Sequence, residues 1–272
     1  MRNLTKKYLT IFFTLLIIGS SLITLYALGA NEEANTKYAK KIPILMYHHL
    51  LKNAENPYQN NDSVLSTETF EKHMKLLHDN NFNTITLSEL ESFLKGEIKL
   101  KKNSVLITFD DGYKSNYTYA YPILKKYNFN ASIFMITTLI EEKTVPFNPN
   151  ALQYLSWSEM KASEDVFEYA SHTHNLHKLK NRKKSFLVVQ PKEIVFDDLK
   201  RSKELLNTTS LAYPYGQYNR NTLKMLKSLD FKMAFTTRRG RVKPGDNMLK
   251  LKRYSISHKI GIDKFKKIVG IK

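Results

Sequence analysis

Two stretches of this chain hold residue types that can do chemistry together. Leu106-Ile107-Thr108-Phe109-Asp110-Asp111-Gly112 runs an apolar strand straight into paired carboxylates, and Ser171-His172-Thr173-His174-Asn175-Leu176-His177 places three imidazoles within six residues. Asp-Gly is also an ordinary hairpin turn signal. No apolar strand follows two residues later, however, and a carboxylate doublet ending an apolar strand is costly without a compensating charge. A cation supplies one: one carboxylate can ligate it while the other stays free beside it. Two of the three histidines complete a set of one carboxylate and two imidazoles, which leaves coordination positions open, the catalytic rather than the structural pattern for zinc. Water at such a site ionises near neutral pH, and the spare carboxylate is placed to take its proton. The chain has no cysteine, so neither a disulfide framework nor a thiolate ligand is available, and any metal must sit on His and carboxylate.

The elements that must position these groups alternate along the chain. Strands are expected at 42–47, 84–87, 105–109, 131–136, 166–170, 210–213, 233–236 and 254–256. Helices are expected after Ser66 and Thr67, where Phe70, Met74 and Leu77 recur at helical spacing, and from a Ser88/Glu91 capping box to Gly96. Others fall at 122–127, from 158, and near 192–206 and 220–229. The run at 105–109 has no polar alternation, as a strand buried on both faces should. This order predicts an α/β fold of mainly parallel strands, closed or nearly closed as a barrel, in one domain over 42–272. In a parallel barrel all the C-terminal strand ends share one rim. Five ends deliver polar or special residues there: His48 and His49, Asp110 and Asp111, His172, Pro214-Tyr215-Gly216, and His258.

The ends of the chain and its charge bound the setting. Arg2, Lys6 and Lys7 precede an uncharged run from Leu9 to Leu28 that exits through Gly29 and Ala30. Residues 1–30 therefore read as a secretory signal, or as an uncleaved anchor, with 31–41 a short linker; either way the remainder is exported. The formal net charge of +18 suits adhesion to anionic envelope polymers or headgroups, and export argues against a nucleic-acid partner. Lys178, Lys180, Arg182, Lys183 and Lys184 precede Phe186-Leu187-Val188-Val189, a pattern that a membrane-surface loop over 178–189 would use.

Thr108-Phe109-Asp110-Asp111-Gly112, His172-Thr173 with His177, Tyr213-Pro214-Tyr215-Gly216 and Ile256-Ser257-His258 resemble, in order, the signature segments of the NodB-homology polysaccharide deacetylases, carbohydrate esterase family four. The opening Pro43-Ile44-Leu45-Met46-Tyr47-His48 and the five-residue His spacing are most similar to the poly-β-1,6-N-acetylglucosamine deacetylases of biofilms. The resemblance implies a distorted (β/α) barrel of about seven parallel strands, a divalent metal, preferably zinc, and hydrolysis of N-acetyl groups on that polymer. It also implies roles: Asp110 as general base, Asp111, His172 and His177 as metal ligands, His258 as general acid, and the Tyr215 backbone N–H as oxyanion donor. His48, His49, His174, Pro214 and Trp157 are candidates for substrate contact or support of these groups. Peptidoglycan or chitin as substrate, or a glycan-binding module without catalysis, are the alternatives. One departure stands out: many relatives carry an arginine shortly before the Pro-Tyr, orienting the base, and here Ala212 and Tyr213 occupy that place.

Overall fold

The longest strand, Ser104–Asp111, is buried at every position, and the rest of the molecule is arranged around it. In the computed structural model, which describes residues 37–271, the chain runs β1 (Ile44–Tyr47), β2 (His49–Leu51), β3 (Val64–Ser66), α1 (Thr67–Asp79), β4 (Asn83–Thr84), α2 (Leu87–Lys95) and β5 (Ser104–Asp111). It continues through α3 (Tyr121–Lys126), β6 (Ala131–Met135), α4 (Trp157–Ala162), β7 (Phe167–Ser171), β8 (Leu179–Lys180), β9 (Lys184–Ser185), α5 (Phe186–Val189) and α6 (Lys192–Leu206). The last elements are β10 (Ser210–Ala212), α7 (Arg220–Ser228), β11 (Met233–Phe235), β12 (Tyr254–Ser255) and α8 (Ile262–Val269). The expected signal at 1–30, and the linker before residue 37, lie outside the described residues.

Seven parallel strands follow the order β11-β10-β7-β6-β5-β1-β12, with β4 paired to the start of β5. The two ends of this curled sheet are joined by one short segment. Leu251 donates to Ala234 O and accepts from Thr236 N at the β11 side, and three residues later Tyr254 and Ser255 pair with Leu45 and Met46 of β1. This is the expected (β/α) barrel in a single domain, distorted where that segment crosses.

Strand alternation divides the core. Ile44, Leu106, Phe134, Ala170, Ala212 and Phe235 form one buried cluster, stoppered by Leu90, Phe93 and Leu94 of α2. Their neighbours of opposite parity, among them Leu45, Ile107, Phe109, Ile133 and Phe167, pack outward against Phe70, Leu124 and Phe265 of α1, α3 and α8. The first parity therefore faces into the barrel, and it continues upward through Met46 to His48, through Thr108 to Asp110, and through Ala170 to His172.

One local expectation is corrected. The strand at 84–87 stops at Thr84, because the capping box that opens α2 is formed by Thr86 and Glu89, two residues earlier than Ser88 and Glu91. The apolar residues at 186–189 form α5, in which Leu187 is buried among Leu176, Val195 and Leu199 while Phe186, Val188 and Val189 stay half-buried after the preceding cations.

Candidate active site

Asp110 leaves the top of β5 pointing into the barrel, where it is 3% exposed. It meets Arg253, the largest fully buried side chain. The pairing is bidentate: Arg253 Nη1 donates to Asp110 Oδ1 at 2.6 Å and Nη2 to Oδ2 at 2.7 Å, the fork geometry that gives strong, oriented charge-assisted bonds. Arg253 is itself fixed, with Nε donating to Thr236 O at 3.1 Å and Nη1 to Thr108 Oγ1 at 3.3 Å. Its guanidinium carbon lies 5.5 and 5.9 Å from the ring centres of Phe134 and Phe235, apolar surroundings in which an unpaired cation would be costly. Burial pushes the Asp110 carboxyl up, but the charge of Arg253 outweighs it, with His172 and His48 assisting, and the pKa is held below the usual carboxylate range.

Asp111 has the opposite parity and would point away from the barrel, but its φ of 75° turns it toward the rim. There its Oδ1 lies 3.4 Å from His172 Nε2 and 3.4 Å from His177 Nε2, and the three ligand atoms lie within 4.8 Å of one another. Ligands at about 2.0–2.1 Å from a tetrahedral zinc stand roughly 3.3 Å apart. Asp111 Oδ1 is also buried without a hydrogen-bond partner, a costly condition that a cation would relieve. His172 Nδ1 donates to Ala212 O at 2.8 Å; a carbonyl only accepts, so Nδ1 carries the proton and Nε2 presents its lone pair, as a ligand requires. Burial and the neighbouring His172 lower His177 to about 4, keeping it neutral. Burial lowers His172 too, but the neighbouring Asp111 and Asp110 carboxylates prevail and raise it: two carboxylates here draw positive charge. The residues fit a divalent metal, which polydentate His and carboxylate sites of this kind hold.

The rim is strained where it carries function. Besides Asp111, Thr173 (φ 74°) and Tyr215 (φ 57°) adopt the left-handed region, which costs a side-chain-bearing residue roughly 1–2 kcal/mol. Surrounding bonds hold these turns. Asp198 of α6 accepts from His174 N and Asn175 N at 2.8 and 2.7 Å, and Met135 O accepts from His172 N at 2.8 Å. At Gly216 an added Cβ would lie 2.2 Å from Thr237 Oγ1, so only glycine lets the Pro214–Gly216 turn sit against the end of β11.

The remaining expected residues divide. Buried Pro214 opens that turn, and the Tyr215 ring stacks on His177 with centroids 4.5 Å apart. His48 continues the inward parity of β1, and Asp110, Asp111 and His177 all feel its charge. His49 turns outward and is buried, its Nδ1 2.7 Å from Ser115 Oγ and its ring 4.8 Å from Tyr113. His174 Nδ1 lies 2.8 Å from Thr137 Oγ1, outside the three-ligand cluster, and Trp157 packs against the outer core. His258 is not brought to the carboxylates: its Nε2 lies 3.7 Å from Asp62 Oδ1, and it borders a groove between α1 and α8. Arg253 and Asp198 escaped sequence reading. For Arg253 a signal existed, since Leu251 and Arg253 flank exposed Lys252, which puts the arginine on the same side as a core leucine.

A fold of this kind with one carboxylate and two imidazoles at its rim defines a polysaccharide deacetylase, and comparison agrees: residues 97–234 match the model for that family. The chain belongs to it and is a polysaccharide N-deacetylase, a hydrolase. Among curated relatives, the poly-β-1,6-N-acetyl-D-glucosamine N-deacetylase of Staphylococcus aureus strain MSSA476 is 29% identical over 276 residues, covering 93% of each chain. Among solved structures, Streptococcus pyogenes deacetylase PplD in complex with acetate gives a TM-score of 0.72 at 28% identity, over 84% of this chain and 98% of that one. IcaB from Ammonifex degensii gives 0.71 at 25%, over 86% and 97%.

Proposed function

We propose that this enzyme is exported and removes N-acetyl groups from a polymer of β-1,6-linked N-acetylglucosamine, releasing acetate and leaving free amines that help the polymer adhere to surfaces. The buried Asp110–Arg253 pair beside the three-ligand cluster carries the reading, and the staphylococcal relative that matches over nearly its whole length supports the polymer. Asp111, His172 and His177 would hold a divalent metal, with zinc favoured by the make-up of the ligand set. When bound, it polarises the acetamide carbonyl and lowers the pKa of water.

The protein's own groups then divide the work. Asp110 keeps a lone pair on each oxygen beyond those given to Arg253, and it takes the proton of the attacking water. As the C–O bond forms, the carbonyl oxygen gains negative charge, which the Tyr215 backbone N–H receives. As the C–N bond breaks, the leaving amine needs a proton. We assign its delivery to His48 rather than His258, because His48 shares the inward face with Asp110 while His258 pairs with Asp62. The Tyr215 ring on His177 shields the site mouth from water. Acetate release from β-1,6-linked oligomers, compared with β-1,4-linked ones, tests the assignment. The β-1,6 oligomers should be faster and Asp110→Asn should lower both rates by about 10²–10⁴-fold; equal or reversed rates would move the substrate to peptidoglycan or chitin.

A further inference from the structure

The cations after His177 form a built object rather than a loose run. Lys178 borders a cavity of about 140 Å³ shared with Asp111, His177, Tyr113 and Tyr154. From there the chain makes a tight antiparallel hairpin in which β8 and β9 pair Lys180 directly with Lys184. Asn181 and Arg182 form its tip in the left-handed region, with φ of 51° and 56°. Like charges directly opposite on adjacent strands destabilise a hairpin, and a left-handed arginine adds strain. Among the described residues, no carboxylate lies within ion-pair distance of Lys178, Lys180, Arg182, Lys183 or Lys184.

The hairpin is nevertheless firmly held, and by the catalytic turns. Gln217, next to the Tyr215 turn, accepts from Ser185 N and donates to Lys183 O, both at 2.9 Å. Phe186 N donates to Lys178 O at 2.8 Å, and Leu187 is buried beneath. Lys178 Nζ donates to Asn175 Oδ1 at 2.9 Å. Two further exposed cations, Arg238 and Arg239, follow Thr237, which packs on Gly216 of the same turn. Four residues of strand span about 13 Å, so the tip stands within reach of a sugar strand lying in the site.

We propose that this hairpin is a subsite for an anionic substituent, a phosphate diester, carried by the glycan strand a few sugars from the acetamide that is cleaved. A neutral amino-sugar polymer gives five cations no partner, and its deacetylated, cationic product is repelled by them. An anion between Lys180, Arg182 and Lys184 relieves the opposed pair and fixes the register of the strand over the metal ligands. The same field repels each new amine, so the product leaves after few cleavages. The inference rests on the deacetylase reading of the neighbouring site.

The test compares a β-1,6-linked N-acetylglucosamine oligomer with the same oligomer bearing one glycerol-phosphate diester. Wild-type enzyme should show a KM roughly tenfold lower for the phosphorylated oligomer with unchanged kcat, equivalent to one step of about 1.4 kcal/mol in binding. High salt should remove the difference by screening. Lys180→Gln/Arg182→Gln/Lys184→Gln should lose the preference, keep the neutral oligomer's rate, and melt at a slightly higher temperature. Titration of the phosphorylated oligomer into Asp110→Asn enzyme reads the subsite without turnover, so failure of the deacetylase reading is seen separately, as absence of acetate from the neutral oligomer. Equal KM values in the wild type, or a preference surviving in the triple variant, would overturn the proposal. Hairpin-dependent retention on phosphatidylglycerol vesicles with no preference between oligomers would overturn it in favour of a lipid headgroup.

Discussion

Asp110 and Asp111 are consecutive, yet they sit in two regions built on opposite terms. Around Asp110 the barrel interior is closed and satisfied: both carboxylate oxygens meet Arg253, and the arginine's other donors end on Thr236 and Thr108. Around Asp111 the rim is strained and unpaired, with a left-handed backbone at Asp111 and Thr173 and buried oxygens at Asp111 Oδ1 and Thr173 Oγ1 that lack partners within the protein. The first pocket fixes a protonation state, and the second presents ligands suited to a cation. Strand alternation followed by one positive φ is enough to send adjacent residues of a single strand to these two tasks.

The comparison can be broken most strongly at the carboxylates themselves. Asp110→Asn should lower kcat by about 10²–10⁴-fold, the usual worth of a general base, while metal bound per chain stays the same. Asp111→Asn should lose both metal and activity, read by metal analysis of the purified protein. If Asp110→Asn also loses the metal, the two regions are not separate. His48→Ala should cost a similar factor in kcat, and His258→Ala should leave kcat close to wild type, the reverse result returning the acid role to His258.

The next effect concerns stability. Arg253→Met leaves the Asp110 carboxylate buried without its partner, and breaking such a pair costs on the order of 3–5 kcal/mol, measurable by denaturant unfolding. The folded-state pKa of Asp110 lies below its unfolded value, so its contribution is fully present above about pH 4 and is lost as pH falls through the folded pKa. Arg253→Met should remove that acid-side loss as well as the stability, because burial alone raises the carboxyl and Asp110 then folds protonated.

A smaller change sharpens the contrast from the other side. Thr173→Gly relieves a β-branched residue of its left-handed φ and removes an unpartnered buried hydroxyl. It should stabilise the metal-free protein by about 1 kcal/mol while weakening metal binding, because His172 loses a rigid neighbour. Thermal melts with and without metal check both halves; a destabilised metal-free variant would mean the rim is not strained.

Much of this was legible in the sequence, because strand ends and ligand types are local properties. Val105 to Phe109 announces a doubly buried strand, which the fold extends to Ser104–Asp111, and the helix at 192–206 matches α6 in full. The Asp-His-His cluster follows from residue type and spacing once the strand ends share a rim. What escaped was long-range. Arg253 lies 143 residues from Asp110 and reaches it only because the closing segment passes from β11 to β1, which no local periodicity encodes. His258 is a similar case: it follows a strand of the barrel, and its ring comes to lie beside Asp62, a neighbour that no local periodicity announces. At 186–189 the apolar residues form a short helix that buries Leu187 beside the cationic hairpin, a division that periodicity over four residues cannot show.

Arg253, arriving from the closing segment, orients Asp110 and keeps it ionised in place of the arginine expected before the Pro-Tyr. The decisive measurement is the pH dependence of kcat/KM for acetate release in wild-type enzyme and Arg253→Lys, which keeps the charge but loses the fork. The acid limb of the profile should move to higher pH in the variant, with activity partly recovered in alkaline buffer. An acid limb at the same pH in both enzymes would contradict it.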